Sequence, residues 1–226
     1  MMLTVPRITL WIQPICETVS GRVIGHEWLT RWEHTESAAS LWQWADQHDQ
    51  IAEVERHILS TLHDWRHEPE APSGIWFINL HPRGIASRWD PSDDQNSPRF
   101  WSHALAPVVW ELLEQPGWLS PVVTALAQEA SIALDDWGDS VESTTRLVTW
   151  PVRWVKLDRV ITRQLGQPEF AAWIRWIQHF AFAAPVSWVA EGVETPEEAE
   201  AARVARIPFV QGFGIAPPRP YRTIAW

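Results

Sequence analysis

The chain has 226 residues, 46% of them hydrophobic, which suffices for a sizeable core and suits one α/β barrel domain over 1–226. A formal net charge of -10 argues against nonspecific DNA binding or adhesion to an anionic membrane, and it suits divalent cations as partners. Cys16 is the single cysteine, which excludes an internal disulfide and a Cys-rich metal site. No apolar run approaches the ~18 residues of a membrane span, and the opening residues lack a signal-peptide pattern, so a cytoplasmic protein is expected. The 18 tryptophans read mainly as fillers of core and interface, with a few near the site able to stack on nucleobases.

In chain order, LWIQPI at 10–15 reads as the first strand. Turn chemistry at Gly21 leads into a second strand ending near Glu27. Residues 40–68 read as one long helical region, with Ile51, Val54, Ile58 and Leu62 at helical spacing. IWFINLHP is a strand ended by Pro82, followed by a polar loop and a short helical stretch near FWSHAL. PVVWELLE is a strand, SPVVTALAQEA a helix, SIALDDWG a strand and STTRLVTWP a helix. RWVKLD is a strand, EFAAWIRWIQHFAFAA a helix and VSWVAEG a strand. TPEEAEAARVARI is a helix with Thr195 as N-cap and Pro196 in its first turn, and PFVQGFG is the last strand. This alternation predicts a parallel sheet with helices outside. Eight strand candidates suit a closed (β/α)8 TIM-like barrel, with an open doubly wound sheet as the alternative.

Strand after strand ends in a polar group: Glu27, Asn79, Glu111, Asp135 with Asp136, Lys156 with Asp158, Glu191 and Gln211. In a parallel barrel these ends share one rim, where such folds place active sites. Several carboxylates and an amide in one mouth ask for hard cations such as Mg²⁺ or Mn²⁺. A two-metal site explains the adjacent Asp135–Asp136 pair, one carboxylate bridging. Lys156 then either pairs with an acid or orients a metal-bound water and balances charge.

With these residues in place the chain resembles the EAL domain family of cyclic-di-GMP-specific phosphodiesterases. The likeness runs in order through QPI, GHEWLTRW, FINLHP, VVWELLE, LDDWGDS, WVKLD, VAEGVET and FVQGFGIAPP. It implies a TIM-like barrel, usually with one antiparallel strand, often a homodimer. It implies a two-metal site lined by Glu27, Asn79, Glu111, Asp135, Asp136 and Glu191, with Lys156 as the catalytic lysine and Gln211 near the metal-bound water. It assigns Gln13, Arg31 and Asp158 to substrate, and gives Glu194 the support of the loop after the Asp-Asp pair. The implied reaction is hydrolysis of one phosphodiester of cyclic di-GMP to linear pGpG.

Two departures from the family pattern stand out. Trp28 replaces the small residue of the Glu-Ala-Leu tripeptide, so its ring must enter either the barrel wall or the mouth. Asp139 and Ser140 follow Gly138 where the pattern has Thr and a second Gly, and a lost glycine can forbid a positive-φ turn. These changes keep a second reading open, a catalytically weak or silent cyclic-di-GMP receptor acting through a regulatory protein partner. A third reading is a protein–protein regulator without nucleotide, against which the retained site residues argue. His63 and His67 at i, i+4 read as a surface helix, and QGFG is not a dinucleotide fingerprint because Pro217 and Pro218 follow it.

Overall fold

The computed structural model describes residues 7–32, 38–84, 97–112, 120–138, 140–179 and 185–224. The predicted polar loop lies largely at 85–96, outside the described residues. The strands are β1 (Ile8–Glu17), β2 (Val23–Trp32), β3 (Ile75–Leu80), β4 (Val108–Leu112), β5 (Ser131–Trp137), β6 (Trp154–Leu157), β7 (Ser187–Ala190), β8 (Phe209–Val210) and β9 (Arg219–Ile224). The helices are α1 (Ala38–Gln47), α2 (Ile51–Arg66), α3 (Pro98–Ala104), α4 (Ser120–Glu129), α5 (Val141–Thr149), α6 (Arg159–Gln164), α7 (Pro168–His179) and α8 (Pro196–Val204).

β2 to β8 pair in chain order, each parallel to the next. β1 pairs antiparallel with β2 on one side and with β8 on the other, so the sheet closes. This is a TIM-like barrel whose antiparallel strand is the first one, and the open-sheet alternative falls. β9 lies outside the barrel, antiparallel to the start of β1 from Ile8↔Ile224 to Ile12↔Arg219.

Several elements differ from expectation. β2 runs past Glu27 to Trp32 because its hairpin partner β1 keeps pairing with it as far as Ile8↔Trp32. The long helical region is two helices, broken where Asp49 takes a left-handed φ of 53 and Gln50 N–H closes onto Ala45 O at 2.7 Å. β9 and α6 were not anticipated. β9 carries Pro220, which removes a backbone donor and which an edge strand tolerates. The α8 cap is as predicted, with Thr195 Oγ1 accepting from Glu198 N–H at 3.2 Å and Pro196 next.

Two apolar layers sandwich the barrel wall. Outside it, Trp28, Trp76, Trp110, Trp137 and Trp188 pack in one cluster with helix residues such as Leu59, Leu62 and Ile174. Inside it, Ile15, Phe77, Val109, Ala133, Trp154 and Val189 form a second cluster, with Phe209 packed against it. The Trp154 ring meets Phe77 edge-on at 5.1 Å and Phe209 at 5.2 Å, so aromatic area plugs the barrel. Among the described residues no helix is long and apolar enough to cross a membrane.

Candidate active site

The site follows from the barrel plug by strand periodicity. Side chains two apart on a strand share a face. Moving two residues toward the mouth from Phe77, Val109, Ala133, Trp154, Val189 and Phe209 reaches Asn79, Glu111, Asp135, Lys156, Glu191 and Gln211. On antiparallel β1 the count reverses, and Ile15 leads to Gln13, whose register partner is Glu27. Every barrel strand, or the residue just past its end, therefore delivers one polar group to a single layer above the plug.

Lys156 is the hub of that layer. Its side chain is 1% exposed, and Nζ lies 2.8 Å from Glu111, 2.8 Å from Glu191, 2.9 Å from Asp135 and 3.4 Å from Glu27. Burial alone would push the ammonium pKa down. Asp135, Glu111, Glu191 and Glu27 outweigh it and hold Lys156 well above the ordinary lysine value. Burial raises the Glu111 carboxyl well above its usual range; Lys156 opposes the shift, while Glu27 and Asp135 add to it. Glu191 is raised likewise, by burial first and then, against Lys156, by Asp135, Glu27 and Asp136.

Amides stitch the remaining oxygens together. Asn79 Nδ2 donates to Glu111 at 3.2 Å and more loosely to Glu27 at 3.4 Å. Gln211 Nε2 donates to Glu27 and to Gln13 Oε1, and Gln13 Nε2 donates to the Ala216 carbonyl at 3.0 Å. Adjacent acids on a regular strand would face opposite ways. Here the register shifts between Leu134 and Trp137, and Asp136 adopts a left-handed φ of 51, a region Asp tolerates. A carboxylate oxygen from each of Asp135, Asp136 and Glu191 consequently lies within 4.8 Å of the others.

The layer fits hard cations. Among the described residues, four carboxylates, Glu27, Glu111, Asp135 and Glu191, surround one ammonium, and a fifth, Asp136, lies beside Asp135 and Glu191. Two buried amide oxygens, Asn79 Oδ1 and Gln211 Oε1, have no hydrogen-bond partner there. Oxygen ligands in excess, with unsatisfied carbonyl-type acceptors among them, match Mg²⁺ or Mn²⁺ rather than a soft metal.

The other anticipated residues sit outside this knot. Arg31 lines a cavity of about 300 Å³ beside Glu27, Asn79 and Asp135, and its Nη1 donates to Thr30 O at 3.0 Å. Asp158 caps α6, accepting from Val160 N–H at 2.6 Å. Glu194 is exposed and pairs with Arg159 and Arg163. Trp42 also lines the cavity, half-buried with its ring 5.3 Å from His81. Sequence reasoning passed over both, and the only available signal was an aromatic just after the strand carrying Arg31.

Trp28 and Ser140 are both accommodated. Trp28 turns into the outer wall, 4.7 Å from Trp76 and 5.2 Å from Tyr221. Gly138 supplies the positive φ of 107, and a Cβ there would meet Ile161 at 2.4 Å. Ser140 is extended at φ -142, so it needs no glycine, and it caps α5 by accepting from Ser143 N–H at 3.1 Å. Asp139 and the Glu142 side chain lie outside the described residues.

Fold and site together define an α/β barrel protein with a buried acidic, lysine-centred mouth. The EAL domain profile matches residues 2–218, and the chain belongs to that family. It is similar to the probable cyclic di-GMP phosphodiesterase PdeN of Escherichia coli (strain K12), 26% identical over 221 residues, 92% of this chain and 43% of that protein. It is also similar to the cyclic di-GMP phosphodiesterase PdeL of the same organism, 25% identical over 224 residues, 93% of this chain and 62% of that protein. The chain thus spans less than two thirds of either relative. Among solved structures, the Xanthomonas citri FimX EAL domain in complex with c-diGMP superposes with a TM-score of 0.73 at 19% identity, covering 95% of this chain and 88% of that one, a likeness of fold.

Proposed function

We propose that the chain is a metal-dependent phosphodiesterase that hydrolyses cyclic di-GMP to linear pGpG. The observation that carries this is the polar layer: one ligand-type residue per barrel strand, all converging on Lys156. Glu27, Asn79, Glu111, Asp135, Asp136 and Glu191 would hold two divalent cations, Mg²⁺ or Mn²⁺. Such ions neutralise a phosphodiester and lower the pKa of a water that attacks it.

The chain's own residues do the rest. Lys156, surrounded by Glu27, Glu111, Asp135 and Glu191, orients the attacking water and balances charge on a developing oxyanion. Gln211 holds the Glu27 carboxylate and is itself held by Gln13 Oε1. Arg31 faces a phosphate from the cavity wall, and Trp42 offers a face to a guanine base. Asp158 supports the same end of the site through the start of α6. The aromatic plug beneath excludes water from the mouth's floor. The proposal extends to a homodimer, from the family likeness, to a regulatory protein partner, from the altered loop after Gly138, and to a cytoplasmic setting.

The test is incubation of purified protein with cyclic di-GMP and Mg²⁺ or Mn²⁺, with chromatography for pGpG. Metal-dependent pGpG that disappears with a chelator and in Lys156→Ala is the expected result. Folded protein that yields no product at high concentration contradicts it. Nucleotide binding without product reassigns the chain as a receptor.

A further inference from the structure

Glu55 is a buried carboxylate that the proposed chemistry does not use. It lies on the inward face of α2, 2% exposed, among Ile51, Val54, Ile58, Leu59 and Leu62. A carboxylate on an apolar helix face is costly unless its oxygens are hydrogen-bonded. Glu55 Oε1 accepts from His81 N–H at 2.7 Å. Oε2 lies against Gly84, where a Cβ would come within 2.2 Å of it. The carboxylate therefore holds the start of the 81–84 turn by a hydrogen bond and packs closely against its end.

That turn is where β3 needs holding. On the β4 side, β3 pairs through Asn79↔Glu111 to Leu80↔Leu112. On the β2 side the pairing stops at Trp28↔Ile78. Asn79 and the residues after it are thus held by the sheet along one edge. Helix α2 supplies the other hold through Glu55. Gly84 N–H to His81 O at 2.9 Å and Arg83 N–H to His81 Nδ1 at 3.1 Å close the turn, and Arg83 ties it to Asp46 on α1.

We propose that Glu55 is a positioning residue, anchoring the 81–84 turn so that Asn79, two residues upstream of His81, presents its unpartnered oxygen to a cation in the mouth. This rests on the reading of Asn79 as a metal ligand. Residues that orient a ligand in this way typically change metal affinity about 10–100-fold when removed.

The experiment titrates Mn²⁺ calorimetrically into wild type, Glu55→Gln, Glu55→Ala and Leu59→Ala, and measures amide hydrogen exchange at His81 in each. Leu59 shares the helix face but not the turn, so it reports mere loss of packing. Glu55→Ala is expected to weaken Mn²⁺ about 10–100-fold and to speed exchange at His81. Glu55→Gln keeps an acceptor and should stay within a few-fold of wild type, as should Leu59→Ala once folded. If alanine does not fold, Glu55→Met fills the space without accepting. Unchanged Mn²⁺ affinity in Glu55→Ala, or an equal loss in Leu59→Ala, overturns the proposal. Wild type that binds no Mn²⁺ sinks the metal reading instead. The anchor then stands or falls on whether exchange at His81 quickens in Glu55→Ala alone.

Discussion

The plug and the mouth of the barrel lie one pleat apart on the same strands, yet they are opposites. Phe77, Val109, Ala133, Trp154 and Val189 satisfy one another by packing. Asn79, Glu111, Asp135, Lys156 and Glu191 leave like charges together and acceptors unpaired. The plug is built for stability, whereas the mouth gives up stability that, in the proposed reading, bound cations restore. Changes in the two layers should therefore separate folding from function.

The largest effect is expected in the mouth. Lys156→Met should cut pGpG formation by at least about 10²–10³-fold, the loss seen when a charge-stabilising donor is removed. It should also lower metal-free stability by about 3–5 kcal/mol, because it leaves buried carboxylates unpaired. In the plug, Phe77→Ala should cost a similar ~3–5 kcal/mol in denaturant unfolding while turnover per folded molecule stays within a few-fold. Equal losses of turnover from both changes would erase the distinction.

The mouth should also answer to pH in a way the plug cannot. Glu111 and Glu191 have raised carboxyl pKa values in the metal-free fold. As pH rises past the ordinary carboxylate value of ~4.3, the unfolded chain releases these protons first and the folded chain still holds them. The folded state then binds more protons, so metal-free stability should fall with rising pH. Mn²⁺ should offset that fall, because it replaces protons as the neutralising charge. Thermal melts from acid to neutral pH, with and without Mn²⁺, read this directly. A metal-free stability that climbs over the same range would contradict it.

Smaller effects sharpen the edges of the mouth. Trp42→Ala should raise KM roughly 10–100-fold with little change in kcat, since base–aromatic stacking is worth about 1–3 kcal/mol. Ser140→Ala should cost about 1 kcal/mol as a lost N-cap, and Ser140→Gly only a few tenths. A large gain in activity from Ser140→Gly would show that the second glycine of the family loop matters after all.

Much of this site was legible in the sequence because strand alternation is local. A polar residue two positions beyond an apolar one, repeated strand after strand, needs no tertiary knowledge to be noticed. The barrel class followed from the strand–helix alternation and the family motifs. Features that depend on distant partners were not legible. Adjacent Asp135 and Asp136 share the mouth only through a left-handed φ and a register slip. The break at Asp49 carries no proline or glycine to announce it. β9 hides behind Pro220, and its existence depends on the open edge of β1. Glu55 disappears into an amphipathic helix pattern, because its partner is a backbone N–H at a turn about one strand away.

The claim at the centre is that the mouth is a cation site completed by a pair of divalent ions. Calorimetric titration of Mn²⁺ into the chelator-treated protein, with Asn79→Ala and Lys156→Met alongside, tests it most directly. The account predicts saturable binding of about two ions per chain, weakened in Asn79→Ala, and a melting temperature that rises with Mn²⁺. Folded wild-type protein that takes up no Mn²⁺ at millimolar concentration, with an unmoved melting temperature, would contradict it.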